Sequence, residues 1–493
     1  MNKADENSNR LLSRGLKASV FFIICGVLKD AVDFLVTPVF SRILEQEEYG
    51  LFNVYNSWFQ IFRILMSLYI FSDGYVVGLS RFEDKKEKFT SNQLGLMTVL
   101  LIPWIIIYAI NRDNWNNLLQ MSTSMMILMF VHIGFTNAFN LWQAKKRYTY
   151  DYRSYVPVMV IYILLQPTIP IILILNNHTE INNGLVRIYA GVGVQIMFGI
   201  IFFVLQFVKK PTFFDKEYWK YGVSANIVLL PHYLSQILLN HSDRIMIDRF
   251  AGKAKTAIYS IAHSAAFTML VVTTSINSVF TPWLYSKLKK KDTSEIRKLT
   301  STMLILVAIV SLAVVIVTPE LMMVLGDRGY TEGIWIIPPL IFGVFIMFIY
   351  TLFADIELFF KGNRYVTYSA IIGAVLNIVL NYLLIPVYGY IVAAYTTVVG
   401  YAVMCLCHFI FLRLICKRQE LSVSPFFDIR IMLITVAVLA AGIAGAMCLY
   451  KFIVIRYIIL AGIAVLLFVK RKLLFDSLIG MKKSVDKSKG EQA

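Results

Sequence analysis

Charged residues are scarce in this sequence. Asp, Glu, Lys and Arg make up 16% of its 493 residues, whereas 58% are apolar or aromatic. Soluble domains carry about 25% charged residues, and the mean hydropathy here is +0.67. The composition therefore excludes a water-soluble globular protein. It also excludes a disordered chain, because disordered chains are polar and poor in aromatic residues.

Cysteine and histidine are also scarce, with five and six residues respectively. They are too few and too scattered for a disulfide or metal scaffold, so we predict no metal site and no cofactor. A nucleotide-binding P-loop is missing as well, because Gly252-Lys253 has the wrong successor and no upstream glycine at the required place. Almost no long polar stretch remains to build a catalytic domain. The sequence therefore favours a protein that is not an enzyme.

Long apolar runs are what the sequence has in abundance. A spanning helix needs about 20 mostly apolar residues, and about fourteen runs meet this description. The pattern predicts an all-α polytopic membrane protein. The predicted spans lie near 17–39, 51–75, 92–110, 121–142, 155–175, 185–208, 222–243, 256–280, 299–319, 334–358, 366–386, 391–412, 430–450 and 453–470.

The net charge of +17 comes from 47 Lys and Arg against 30 Asp and Glu. In a soluble protein this excess would suggest nucleic acid, but here most of the positive residues fall in alternate connections between spans. Such asymmetry is typical of the cytoplasmic side of a membrane protein. It predicts that both termini are cytoplasmic, which requires an even number of spans. One outer loop breaks the rule, with Arg244, Arg249, Lys253 and Lys255.

An internal repeat relates the two halves of the chain. Ser41-Arg42-Ile43 and Asp248-Arg249-Phe250 each precede a polar loop and a second helix, at an offset of about 207 residues. Six spans separate the two units, so the halves run in the same direction. The repeat predicts two six-helix bundles with two helices appended. The predicted segments are a cytoplasmic N-terminus (1–16), the first bundle (17–208), a cytoplasmic linker (209–221), the second bundle (222–413), a cytoplasmic loop (414–429), helices 13 and 14 (430–470) and a basic cytoplasmic tail (471–493).

Spans 1–12 contain several distinctive short motifs. The first is the run PVFSRIL at 38–44, followed by EYGLF at 48–52. The others are VYNSW at 54–58, LPH at 230–232 with Asn240 and SDRI at 242–245, AIYSIA at 257–262 and FTPWLY at 280–285. These motifs resemble those of bacterial oligosaccharide flippases, which are the polysaccharide-transporter branch of the multidrug/oligosaccharidyl-lipid/polysaccharide exporter superfamily.

The resemblance implies a V-shaped arrangement of the two bundles in the bacterial cytoplasmic membrane. It also implies a function, which is to move undecaprenyl-pyrophosphate-linked oligosaccharides from the inner to the outer leaflet by alternating access. The product would feed O-antigen, capsule or exopolysaccharide synthesis, with a polysaccharide polymerase as a further partner. The first span departs from many relatives because it carries three charged residues.

Those charges supply the candidate site. Lys29 and Asp30 are predicted near the middle of span 1, and Arg63 near the middle of span 2, where a charge is costly unless it faces a cavity or a partner. Lys29 and Asp33 are four residues apart and can pair on one helical face. Arg63 and Lys29 are the predicted contacts for a diphosphate, since a guanidinium can hold phosphate oxygens at two points. The alternative is an ion network that only locks the bundle.

Coupling to an ion is predicted from the carboxylates. Asp30 and Asp33 are candidates for a coupling proton or Na⁺. Asp243 and Arg244 lie in the second half, where Arg244 is a ligand candidate and Asp243 an ion-coupling candidate. A salt bridge that holds the outer gate explains this pair equally well.

Two other pairs of residues receive structural interpretations. Asp355 and Glu357 are interpreted as side chains that snorkel to the interface. His132 and His263 are interpreted as hydrogen-bonded packing residues.

Two other functions compete with a flippase. An ion-coupled antiporter of drugs or organic cations would share the fold, and Asp30 and Asp33 fit it, but Arg63 and Lys29 do not. A membrane glycosyltransferase or polymerase would need catalytic carboxylates or a long outer loop, and the predicted outer loops are short.

Overall fold

A computed structural model of the chain describes residues 3–469, with side chains for residue 15 and from residue 17 onward. The predicted basic tail, 471–493, lies outside the described residues. The chain divides into two compact units, Met1–Ile245 and Met246–Ala493. The division falls inside a helix, whereas the sequence predicted a linker at 209–221. The bundle boundaries therefore remain predictions.

The N-terminal unit contains nine complete helices and most of a tenth within the described residues. They are α1 (Lys3–Ile43), α2 (Gln46–Ser67), α3 (Asp73–Arg81), α4 (Lys86–Ile110), α5 (Arg112–Leu119), α6 (Thr123–Tyr148), α7 (Tyr152–Leu175), α8 (Asn183–Phe207), α9 (Lys216–Ile227) and α10 (Leu230–Ala251), with a 3₁₀ turn at Glu83–Lys85.

The C-terminal unit is also helical throughout its described part. Its helices are α11 (Lys253–Phe267), α12 (Met269–Lys289), α13 (Ile296–Ile316), α14 (Thr318–Gly326), α15 (Ile337–Phe359), α16 (Asn363–Tyr388), α17 (Val392–Arg418), α18 (Ile429–Cys448) and α19 (Ile453–Val469), with a 3₁₀ helix at Arg328–Trp335.

Helices overlap each of the fourteen predicted spans, although some spans are broken, and the described residues form an all-helical membrane fold. Ten helical segments are long and apolar enough to cross a membrane, and the bent pair α9–α10 makes an eleventh. The other three predicted spans correspond to α1, α2 and α19. Charged side chains interrupt α1 and α2, and α19 has only 17 residues. The count of fourteen spans is therefore not confirmed.

The predicted repeat agrees with where the helices begin. Helix α2 starts at Gln46 and α11 at Lys253, which matches the offset of about 207 residues. The local signals differ between the two starts. Glu45 and Glu48 form a reciprocal capping box before α2, whereas Gly252, with φ of 86°, turns the chain before α11. Only glycine adopts that backbone conformation without strain.

Two helix breaks shape the N-terminal unit. Helix α2 stops at Ser67, because Leu68 and Tyr69 have φ of 50° and 51° in the left-handed region. The helical pair α9–α10 bends by 50°, and Pro231 sits in the first turn after the bend. Proline lacks the amide hydrogen that a continuous helix would need there, so Pro231 favours a break at this point.

Close packing of α6 against α8 holds the core beside these breaks. A Cβ atom at Gly199 would lie 2.5 Å from the backbone carbonyl carbon of Phe135. Small residues allow helices in membranes to approach in this way. The contact fixes Gln195, one turn earlier on α8, against His132 on α6.

Candidate functional site

Arg63 lies among aromatic rings in the N-terminal unit. Its Cζ is 5.2 Å from the ring centre of Phe71, 5.5 Å from Phe59 and 5.8 Å from Tyr69. Its Nε is buried without a hydrogen-bond partner. No carboxylate within the described part of the chain forms an ion pair with it. Aromatic faces attract a cation but leave its N–H donors free, so the guanidinium can accept an anion.

The break after α2 places the aromatic rings around Arg63. Arg63 lies one turn before α2 ends at Ser67, so the continuous helix predicted over 51–75 is wrong, while the depth of Arg63 in the membrane stays a prediction. The left-handed pair Leu68 and Tyr69 reverses the chain, and Tyr69 and Phe71 return to the guanidinium. A non-glycine residue rarely adopts this conformation. Two consecutive residues in this conformation strain the backbone locally, and no sequence motif predicts them.

The predicted pairing on α1 is confirmed. Lys29 Nζ lies 2.7 Å from Asp33 Oδ2, with side chains 44% and 52% exposed. Asp30 is exposed on the same helix. Neither Asp30 nor Asp33 forms an ion pair with Arg63. Instead, Tyr162 on α7 lies near enough to interact electrostatically with both Asp33 and Arg63.

His132 packs against Phe59, one of the rings around Arg63. Its ring stacks on Phe59 with 3.8 Å between ring centres. One ring nitrogen is 3.0 Å from Gln195 Oε1 and the other is 3.4 Å from the Tyr55 hydroxyl. The prediction of a hydrogen-bonded packing residue is confirmed for His132. Its contacts fix the ring that faces Arg63.

Helix α10 adds further polar groups to the N-terminal unit. Arg244 is buried and donates from Nη1 to the backbone carbonyl of Asn240 at 2.7 Å, and Asp243 is buried beside it. His241 lies near enough to interact electrostatically with both Arg244 and Arg63. The Nδ1 of His241 is buried without a hydrogen-bond partner. His241 was not among the predicted site residues, although it lies one turn from Arg244 in the same helix.

Asp355 and Glu357 on α15 do not snorkel, so that prediction is wrong. They are 6% and 0% exposed within the C-terminal unit. Glu357 Oε2 lies 3.0 Å from His408 Nδ1 on α17, and the Thr281 hydroxyl donates to Asp355 Oδ2 at 3.0 Å. Hydropathy identifies a helix but not the face that neighbouring helices cover, which explains the error.

Residues 3–469 contain no group of three or more His, Cys, Asp or Glu side chains arranged to hold a metal ion. The polar chemistry of the N-terminal unit is instead that of single cations among aromatic and amide groups. Such groups suit an anionic or sugar-bearing ligand better than a metal.

Solved structures share this fold. A lipid II flippase MurJ in an inward closed conformation matches 93% of this chain and 100% of its own, with a TM-score of 0.68 and 13% identity. An inward-facing multidrug resistance MATE family transporter of the MOP superfamily matches 79% of this chain and 96% of its own, with a TM-score of 0.59 and 12% identity. The fold is therefore that of flippases and transporters, in a multi-pass membrane protein. No curated protein sequence matches the chain.

The sequence itself carries the family assignment. A family described as polysaccharide biosynthesis protein matches residues 16–289, which is more than half of the 493 residues. This range includes α2, Arg63 and every motif on which the resemblance to oligosaccharide flippases rests. The chain belongs to the polysaccharide biosynthesis protein family, and it shares its fold with these two solved structures.

Proposed function

We propose that this protein is a flippase that moves undecaprenyl-pyrophosphate-linked oligosaccharide repeat units from the inner to the outer leaflet of the bacterial cytoplasmic membrane. It works by alternating access and supplies O-antigen, capsule or exopolysaccharide synthesis. A polysaccharide polymerase on the outer side consumes the product. The family assignment and the fold support this proposal at the level of a transporter in polysaccharide synthesis.

The physical problem defines what such a protein must contain. A diphosphate and several sugars cannot cross about 30 Å of hydrocarbon unaided, because each unpaired polar group costs several kcal/mol there. The protein must therefore offer the diphosphate a cation inside the membrane. It must also leave that cation unneutralised, since a guanidinium already held by a carboxylate would bind phosphate poorly.

Arg63 is the observation that carries the proposal. It has no ion pair among the described residues, and aromatic rings rather than carboxylates surround it. Retaining such a charge costs free energy that an anionic ligand would offset. A guanidinium can bind two phosphate oxygens at once, which a lysine ammonium cannot do with the same geometry.

Lys29 and Arg244 are the proposed secondary cations. Lys29 is partly neutralised by Asp33, so it would bind diphosphate only when that pair opens. Arg244 and Arg63 both interact electrostatically with His241. This favours a site that extends from α2 towards α10. Tyr69 and Phe71, which are partly exposed, offer ring faces on which sugars can pack.

An organic-cation antiporter of the same fold is the alternative. A cationic drug needs an acidic and aromatic site, and the rings around Arg63 provide only the aromatic part. The Arg63 charge would repel such a substrate. Asp30 and Asp33 are acidic, but Asp33 is already paired with Lys29. The charges therefore favour an anionic cargo.

Export of surface polysaccharide in the native host tests the proposal. Cells that carry Arg63→Ala should lose surface polysaccharide while the protein stays at normal abundance in the membrane. Arg112→Ala is the matched control, because Arg112 is an exposed arginine whose side chain pairs with the neighbouring Asp113. Export at wild-type level in the Arg63→Ala strain would overturn the proposed role. A parallel loss of abundance and export would make Arg63 a structural residue.

A further inference from the structure

A basic and aromatic connection joins α8 to α9 in the N-terminal unit. It consists of residues 208–215. Lys209 and Lys210 are exposed at its beginning, and Phe213 and Phe214 are 44% and 63% exposed near its end. Apolar surface in contact with water is unfavourable. Two adjacent exposed phenylalanines therefore indicate a partner that covers them.

Contacts with α4 fix the conformation of the α8–α9 connection. Lys88 Nζ lies 2.6 Å from Asp215 Oδ2, and Asn92 Nδ2 donates to the Thr212 hydroxyl at 3.0 Å. Lys88 and Asn92 are four residues apart, so both lie on one face of α4. The connection is therefore attached at two points to a helix that is long and apolar enough to cross a membrane.

Close packing at Gly95 on α4 adds a third point of attachment. A Cβ atom at Gly95 would overlap the backbone carbonyl of Phe213, so glycine permits this approach. The Trp219 indole donates to the same carbonyl at 3.2 Å. The Phe214 ring meets the Trp219 ring edge-on, with 4.8 Å between ring centres. Because the backbone is held in this way, both phenylalanine side chains stay on the surface.

Positive charge accompanies these rings. Four exposed lysines flank the two phenylalanines in sequence: Lys209, Lys210, Lys216 and Lys220. Lys209 also lies near enough to Lys145 on α6 to interact with it electrostatically. Asp215 is paired with Lys88, which leaves Glu217 as the exposed carboxylate beside the connection. A surface with such an excess of positive charge attracts anions.

The connection also lies where a spanning helix ends. Helix α8 is long and apolar enough to cross a membrane, and Val204 and Leu205 in its last turn are exposed. Lys209 and Lys210 follow within about one turn. A basic pair directly after a span is expected at the level of the lipid headgroups, and the charge asymmetry of the chain predicts the cytoplasmic side for this connection.

We propose that the α8–α9 connection binds anionic phospholipids of the leaflet that faces the cytoplasm. The lysines attract the phosphate headgroups, and the rings of Phe213 and Phe214 insert at the boundary between headgroups and acyl chains. Basic segments next to a span bind anionic lipids in this way, and aromatic side chains favour the same depth. An acidic protein partner would match the lysines but not the two rings beside a membrane span. The inference does not depend on which cargo the protein carries.

Quenching of Trp219 fluorescence by brominated phospholipids tests this site in the full-length protein. The protein is reconstituted in vesicles of phosphatidylglycerol and phosphatidylcholine, and one of the two lipids carries bromine in each sample. Each variant is measured with and without Trp219→Phe, and the difference isolates Trp219. The assay contains no transported lipid, so its result is separate from the proposed flippase activity.

Phosphatidylglycerol should be preferred over phosphatidylcholine at wild-type Trp219 by at least about 5-fold. The double variant Lys209→Gln with Lys210→Gln should lower this preference by a similar factor or more, because each lysine near a membrane surface favours anionic lipid by about this much. The double variant Phe213→Ser with Phe214→Ser should reduce quenching by both lipids, since the connection then lies further from the acyl chains.

Lys289→Gln with Lys291→Gln is the matched control, because these two exposed lysines belong to another basic connection, after α12. This variant should keep the wild-type preference at Trp219. Thermal unfolding in detergent shows whether each variant is folded. The site would be refuted by wild-type Trp219 that neither lipid quenches or that both quench equally. A preference retained in the folded Lys209→Gln, Lys210→Gln variant, or lost equally in the control, would also refute it.

Discussion

Lys29 and Asp33 form a 2.7 Å ion pair along one face of α1, and Arg63 on α2 is left without an acidic partner among the described residues. These two cations therefore differ, because Lys29 is neutralised within its own helix whereas Arg63 is surrounded by rings. An anion entering the N-terminal unit would meet Arg63 without first displacing a carboxylate. Binding at Lys29 would first require Asp33 to be released or protonated.

The ion pair on α1 predicts how proton coupling should respond to substitution. Protonation of Asp33 would free Lys29 for the incoming diphosphate, and loading of the diphosphate would favour release of the proton. Asp33→Asn should therefore lose stimulation by a pH gradient while it keeps some downhill flipping. Flipping rates of reconstituted protein with and without an imposed gradient measure this effect. Asp30→Asn, on the same helix, is compared alongside.

Equal rates in both conditions for the unmodified protein would refute proton coupling. A gradient dependence that Asp33→Asn and Asp30→Asn both retain would move the coupling group elsewhere. In that case a Na⁺ gradient or the membrane potential becomes the next energy source to test.

The orientation of the chain follows from its charge asymmetry. A reporter fused after Lys291 should be cytoplasmic, because this connection is one of the basic ones. A reporter inserted in the connection at 177–183, between α7 and α8, should be external. Enzymatic reporters that are active on only one side of the membrane measure both. The prediction fails if the two insertions report the same side.

The buried Glu357–His408 pair predicts a stability effect without a transport role. Each side chain is at most 1% exposed, and the nitrogen–oxygen distance is 3.0 Å. Removing one partner leaves the other buried without compensation, which costs about 3–5 kcal/mol. His408→Leu should therefore lower the thermal unfolding midpoint of the protein in detergent. The double variant Glu357→Leu with His408→Leu should recover much of the loss, because two apolar side chains can pack there.

A midpoint for the double variant that is no higher than that for His408→Leu would contradict this account of the pair. Asp355→Asn, on the same helix, serves as a comparison because Asp355 has no ion-pair partner in the described chain.

Acid should weaken the attachment of α18 to α13. Arg297 forms an ion pair with Asp428, and two backbone amides of α18 also donate to this carboxylate. These contacts, Arg297 first, lower the pKa of Asp428 below its usual range. A lowered folded-state pKa stabilises the fold above the unfolded value of about 3.9, and this contribution is lost as pH falls through the folded pKa.

Asp428→Asn tests this attachment by its effect on acid stability. The asparagine can still cap α18 but carries no charge, so the unfolding midpoint should fall less steeply between about pH 5 and pH 2. Asp113→Asn is the control, because Asp113 is an exposed aspartate that pairs with its neighbour Arg112 on the surface. An unchanged acid dependence for Asp428→Asn would contradict the predicted contribution.

Much of the fold was predictable because spanning helices need long apolar runs, and such runs mark their own positions. The repeat was also predictable, since the motifs before α2 and α11 lie a constant distance apart. The left-handed turn at Leu68 and Tyr69 was not, because neither residue type indicates that conformation. Arg63 could be chosen from its charge, but its aromatic neighbours come from that turn. The burial of Asp355 and Glu357 depends on helix–helix contacts that hydropathy does not encode.

Flipping of an undecaprenyl-pyrophosphate-linked oligosaccharide by purified protein in lipid vesicles is the most direct test of the central claim. An enzyme added outside the vesicles that modifies only exposed sugars would follow the arrival of the lipid in the outer leaflet. Wild-type protein and Arg112→Ala should both accelerate this arrival over protein-free vesicles. Arg63→Ala should reduce the acceleration roughly a hundredfold, which corresponds to the loss of about 3 kcal/mol of charge-assisted binding. Equal rates for Arg63→Ala and wild type, or a wild-type rate no higher than that of protein-free vesicles, would contradict the account.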